Sequence, residues 1–203
     1  MSTARNSAAA QKAAGQDKRE VITSAALDLF RHYGYRRTSM EDIARAASVA
    51  KGTLYLYFES KDQLFEAICR SLAEQVSEKL AEVDSRDLPL EEKLLALMEA
   101  KFGFVYSLIL SSPHAAELVE SSHQLESAPF ENATAEFHDA VLRLVRRGVK
   151  NGEIDPKRAG LTEKEAAETL ISAVIGAEKA PDEDSFRKQL KATVRLTLRG
   201  LRP

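Results

Sequence analysis

TSMEDIARAASVAKGTLYLYFESKDQLFEAI, running from Thr38 to Ile68, is the stretch that decides the fold. Ser39 with Asp42 three residues on is a capping-box variant, Asp standing in for the usual Glu, and it starts a short helix carrying Ile43, Ala44 and Ala47. Ala47-Ser48-Val49 leaves room only for a tight turn, so the next short helix, about Lys51 to Phe58, must cross the first steeply. Ala44 is small where the two approach. Ile43, Val49, Leu54 and Phe58 supply a core shared with Leu29 and Phe30 upstream. Ser60, with Gln63 three residues on, opens a long helix whose stripe runs Leu64, Phe65, Ile68, Leu72, Val76, Leu80 and Val83.

Upstream, Val21, Ile22, Ala25, Ala26, Leu29, Phe30 and Tyr33 give the buried face of a first helix, closed by Gly34 as a C-cap. Residues 1–16 are rich in Ala, Ser and Gln, with no large apolar residue after Met1, and read as a flexible arm that extends helically into this first helix. Downstream, breakers at Asp87-Leu88-Pro89, Ser112-Pro113, Ala128-Pro129, Asn151-Gly152 and Ala180-Pro181 separate further helical stripes. One is Leu90, Leu94, Leu97, Met98, Phe102, Val105 and Ile109; another is Phe130, Ala133, Phe137, Val141 and Leu144. No segment sustains a period of two. The expected fold is all-α with about nine helices: an arm at 1–16, a helix-turn-helix domain at 17–64, and a body at 65–203 whose first helix, 65–84, is the connector.

The formal net charge of −2 hides an uneven distribution. Residues 1–61 hold ten Lys/Arg against six Asp/Glu, whereas residues 62–203 hold nineteen against twenty-five. A basic head on an acidic body suits a nucleic-acid contact confined to one end. No run approaches the ~18 apolar residues of a spanning helix, and the N-terminus lacks a signal peptide's apolar core, so a cytoplasmic protein is expected. The single cysteine, Cys69, sits at helical spacing between Phe65 and Leu72 and reads as a small core residue.

The face of the third helix left after the core is assigned carries Lys51, Gly52, Thr53, Tyr55 and Tyr57. A helix of barely two turns with one cation and several hydroxyls fits a major groove about 12 Å wide. Gly52 lets the backbone approach the bases, and Thr53 can meet a base edge or a thymine methyl. Tyr57 and Lys61 would flank the groove at phosphates, which set register rather than sequence. Thr38 and Ser39, at the start of the second helix, would offer hydroxyls and free N–H groups to another phosphate.

These residues resemble the N-terminal pattern of the TetR family of bacterial transcriptional regulators. That pattern is F-x-x-x-G-[YF], then T-[ST]-[ILMV]-x-x-I-A-x-x-A-G-V-[ST]-x-G-[TS]-[LIF]-Y-x-[YH]-F-x-[SGN]-K-x-x-L. Phe30 to Tyr35, Thr38 to Ala44, Lys51 to Phe58, Lys61 and Leu64 match it. Two positions depart. Ser48 replaces the usual turn glycine, at a cost of about 1 kcal/mol if its φ is positive. Ala50 replaces the usual Ser or Thr cap of the reading helix, again a loss of about 1 kcal/mol.

The resemblance implies a repressor that binds a palindromic operator as a homodimer and is released by a small-molecule effector, with no cofactor. It places the dimer contact on the last two helices, and the sequence is compatible: Leu170, Ala173, Val174 and Ala177 on one, Phe186, Leu190, Val194 and Leu198 on the other. Met98, Glu99, Phe102, Tyr106, Phe137 and His138 are candidate walls of a pocket for an apolar or aromatic effector. His114 and Glu117 share a helix face with His123 near, yet without a second spaced pair they read as surface residues rather than metal ligands. No phosphate loop, nucleophile elbow or HExxH motif suggests an enzyme.

Overall fold

The computed structural model describes residues 3–123, 128–176 and 180–203, with backbone alone at 3–16, 123 and 128–130. Every regular element among them is helical. The α-helices are α1 Thr3–Tyr33, α2 Met40–Ala46, α3 Lys51–Tyr57, α4 Lys61–Ser85, α5 Leu90–Met98, α6 Ala115–His123, α7 Ala128–Lys150, α8 Glu163–Ile175 and α9 Glu183–Gly200. The all-α expectation holds. The segment expected as an arm is taken up by α1, which begins at Thr3.

The chain divides into two compact units. One joins Met1–Ser71 to Ser112–Ser127; the other joins Leu72–Ser111 to Ala128–Pro203. The long α4 contributes to both, and α6 clusters with the N-terminal helices although the chain on either side of it belongs to the other unit.

In the first unit Ile22, Ala26 and Phe30 of α1 are fully buried, and Ile43, Leu54, Phe58 and Leu64 close the core around them. That spacing of four puts them on one stripe, while the stripe's expected edges, Val21 and Tyr33, face out. Phe30, Tyr35 and Phe65 form an aromatic cluster with centroids 4.9–5.7 Å apart. Cys69 lies at the margin of this core, and burial pushes its thiol up to about 11, which makes it unreactive at neutral pH.

The second unit is built from the C-terminal half of α4 with α5, α7, α8 and α9. Beyond Met98 the helix α5 continues in two wide turns, Glu99–Gly103 and Tyr106–Leu110, with i→i−5 bonds such as Ser111 N–H to the Tyr106 carbonyl at 2.9 Å. A π turn takes in one extra residue, so the buried face shifts. Phe102 and Tyr106 point inward, four apart, where the regular period had placed Val105. No single helix among the described residues is long and apolar enough to cross a membrane.

Candidate nucleic-acid interface

The hydroxyl of Ser39 accepts from Asp42 N–H at 3.2 Å, and the Asp42 carboxylate accepts from Ser39 N–H, so the expected capping box is formed at α2. These bonds from Ser39 hold the Asp42 carboxyl below the usual aspartate range. The turn to α3 is closed by Val49 N–H to the Ala44 carbonyl at 2.9 Å. Ser48 takes a φ of 54° there, the one positive φ at a non-glycine among the described residues. Ala50 then caps α3 in an extended conformation with no side-chain bond. Both departures from the family pattern thus sit where the expected costs would arise, at a left-handed φ and at a helix start without a side-chain cap.

Leu54 is the one fully buried residue of α3. Its outer face presents Lys51, Gly52, Tyr55 and Leu56, with Thr53 and Tyr57 half-exposed. A Cβ on Gly52 would meet nothing within 4 Å, so open space lies over the backbone there. Lys51 forms an ion pair with Glu41 of α2 and lies 5.9 Å from the Tyr55 ring centroid. The hydrogen bond between Lys51 and Glu41 lowers the Glu41 pKa and raises that of Lys51. Leu56, 85% exposed, was not singled out from the sequence; its place one turn beyond Gly52 was the available signal.

The expected phosphate anchors behave differently. Thr38 is buried and donates its hydroxyl to the Gly34 carbonyl at 2.8 Å. The Ser39 hydroxyl and N–H are both engaged with Asp42. Lys61 donates to the carbonyls of Tyr35 at 2.8 Å and Thr38 at 3.0 Å, and sits over the Tyr35 ring at 4.4 Å. These three side chains fasten the α1–α2 loop to its neighbours in the head. Their polar groups are satisfied internally, because a loop between two helices leaves carbonyls and N–H groups that need partners.

The same loop is gripped by α6. Arg36 N–H donates to Glu117 at 2.6 Å and Arg36 Nη2 to Glu120 at 3.1 Å; just before α6, the Ser112 hydroxyl donates to the Arg31 carbonyl of α1 at 2.6 Å. Gly34, with φ of 89°, lies so close beneath that a Cβ would stand 2.5 Å from Glu117 Oε2. His114 Nδ1 lies 3.7 Å from the same carboxylate. Glu117 therefore holds a backbone loop, and among the described residues no group of three or more His, Cys, Asp or Glu is placed to hold a metal.

In the second unit, six of the residues expected at a dimer contact, Leu170, Val174, Phe186, Leu190, Val194 and Leu198, are buried within the chain's own core. The stripe is spent intramolecularly. Of the other two, Ala173 is exposed and Ala177 lies outside the described residues. The outward faces of α8 and α9 instead carry Ile175 and Leu196, at 47% and 69% exposure. The expected effector residues do not converge on one cavity. Met98, Phe102, Tyr106 and Phe137 are packed core, with Phe102 edge-on to Phe137 at 5.4 Å and Tyr106 stacked on Phe186 at 4.4 Å. The Tyr106 hydroxyl donates to the Ala180 carbonyl at 2.6 Å. His138 faces solvent, its pKa lowered by partial desolvation and by Lys101. Glu99 lines a surface cleft of about 350 Å³ with Lys79, Glu82, Arg86 and Phe104.

Residues 22–68 match the family model for bacterial regulatory proteins of the tetR family. The HTH-type transcriptional regulator YhgD of Bacillus subtilis strain 168 is 25% identical over 171 residues, covering 80% of this chain and 85% of that one. The A-factor receptor protein of Streptomyces griseus is 27% identical over 183 residues; the match covers 90% of this chain and 61% of that relative's length. A solved TetR/AcrR-family regulator from Thermobifida fusca superposes with a TM-score of 0.69 at 25% identity, covering 92% of this chain and 100% of that one. A capped α2, a positive-φ turn and an α3 anchored through buried Leu54 are the parts of a helix-turn-helix, and over residues 22–68 this head is similar to the DNA-binding domain of the TetR family of bacterial transcriptional regulators.

Proposed function

We propose that the chain is a cytoplasmic, homodimeric repressor that reads a palindromic operator with α3 and releases it when a small molecule binds the body. The observation that carries the DNA reading is the outer face of α3: Lys51, Gly52, Thr53, Tyr55 and Tyr57 around one buried anchor, Leu54. Such a face enters the major groove, and two copies about 34 Å apart read two half-sites. Lys51 and Tyr57 supply phosphate and base donors. Thr38, Ser39 and Lys61 act at one remove, by setting the loop that aims α2 and α3.

Dimerisation through the outward faces of α8 and α9 is supported by Ile175 and Leu196, apolar side chains that are 47% and 69% exposed. That a relative is named an A-factor receptor supports control of this chain by a bound ligand. The test is selection of bound duplexes from a randomised DNA pool by the purified protein. The expected product is a palindrome whose binding weakens steeply with salt. A pool that never narrows, or binding indifferent to salt, would remove the reading.

A further inference from the structure

We infer that Leu56 is a specificity-determining residue, and that it reads the 5-methyl group of a thymine in the major groove. The inference rests on the DNA-binding reading of α3 and goes beyond it by naming the base feature recognised. Among the described residues no large apolar side chain is more exposed than Leu56. It stands four residues after Gly52 and three after Thr53, so it shares their face one turn further along. Lys51 is held by Glu41 and lies near the Tyr55 ring, and Gly52 has no side chain and open space above it.

The open backbone at Gly52 lets α3 sink toward the bases, which carries Leu56 to the floor of the groove. An aliphatic side chain has no donor or acceptor. Of the features that base pairs present in the major groove, the one apolar group is the thymine methyl, so that is the feature it can select. The gain is the burial of roughly one methyl against the side chain, worth about a four-fold change in affinity per contacted thymine.

The experiment uses the full-length protein and a duplex selected from a randomised pool, with each thymine replaced singly by uracil, which removes the methyl and keeps the base-pairing edge. Fluorescence anisotropy would show the parent losing about four-fold at one thymine in each half-site, while Leu56→Ala binds the unmodified duplex correspondingly more weakly. The decisive result is coupling: Leu56→Ala should be indifferent to uracil at that position and should retain the parent's salt dependence, since no phosphate contact is touched. Thermal unfolding at the same midpoint would show that the exposed substitution left the fold alone. Uracil replacement that is silent for the parent everywhere, or equally costly for parent and variant, overturns the assignment while leaving DNA binding intact. A pool that does not narrow overturns the sequence-reading role of α3 itself, Leu56 included.

Discussion

At the scale of single residues, the head trades stability and free charge for its shape. Ser48 holds a left-handed φ that glycine adopts without steric cost, and Ala50 leaves the first N–H groups of α3 without a side-chain acceptor. Ser48→Gly and Ala50→Ser should each stabilise the protein by about 1 kcal/mol, seen as a rise of a few degrees in the thermal midpoint. Neither rising would mean that the turn is already relaxed. Glu41 occupies the ammonium of Lys51, so DNA must compete for that charge. Glu41→Gln should tighten DNA binding about three-fold at low salt, with the advantage shrinking as salt rises, as measured by anisotropy titrations. An unchanged affinity would place Lys51 outside the contact.

The elements hold together through their ends. Three helix starts use an acidic side chain in their capping bonds: Asp42 in the first turn of α2, Glu165 in that of α8 and Asp182 just before α9, each accepting from a backbone N–H and each titrating below its ordinary value. A carboxyl depressed by folding stabilises the protein above its unfolded pKa, and the contribution is lost as pH falls through the folded pKa. For Asp42, whose ordinary value is 3.8, the loss therefore develops below about pH 4. Melting curves of the parent and of Asp42→Asn should differ at pH 7 and draw together as the pH falls below about 4; curves that stay parallel would deny Asp42 this role. The α6 grip on the α1–α2 loop is the second device at this scale. Glu117→Ala leaves Arg36 N–H without its acceptor and should destabilise the head by about 1–2 kcal/mol. Hydrogen exchange should quicken at residues 34–39 in particular; uniform or unchanged protection would show that α6 is not what fixes the loop.

For the whole molecule, the issue is which apolar faces close the core and which remain for a partner. Leu170 and Leu190 are buried within one chain, so Leu170→Ala should cost about 2–5 kcal/mol and leave the oligomeric state unchanged if the fold survives. Leu196 is exposed on the other face of α9, where a charge costs the isolated chain little. Leu196→Glu should lower the mass measured by light scattering from dimer to monomer at micromolar concentration, with helicity retained. A dimer that persists would move the contact away from this face.

The sequence by itself determined the head. Capping at Ser39, the turn at Ser48, the missing cap at Ala50 and the glycine stop at Gly34 are set by neighbours three or four residues apart, and local rules read such neighbours directly. All-α architecture followed from the same periodicity. What only the tertiary structure decided is where each side chain spends its polar and apolar surface. Thr38, Ser39 and Lys61 looked like DNA anchors and proved to be bonded within the head. The acceptors of Lys61 arrive from 23 and 26 residues away, Thr38 turns back to the Gly34 carbonyl, and the Ser39 cap closes on itself. Likewise the stripes of α8 and α9 are apolar on the side that α5 and α7 cover. Periodicity shows that a helix has an apolar face but not which partner covers it, since burial is a property of packing rather than of spacing.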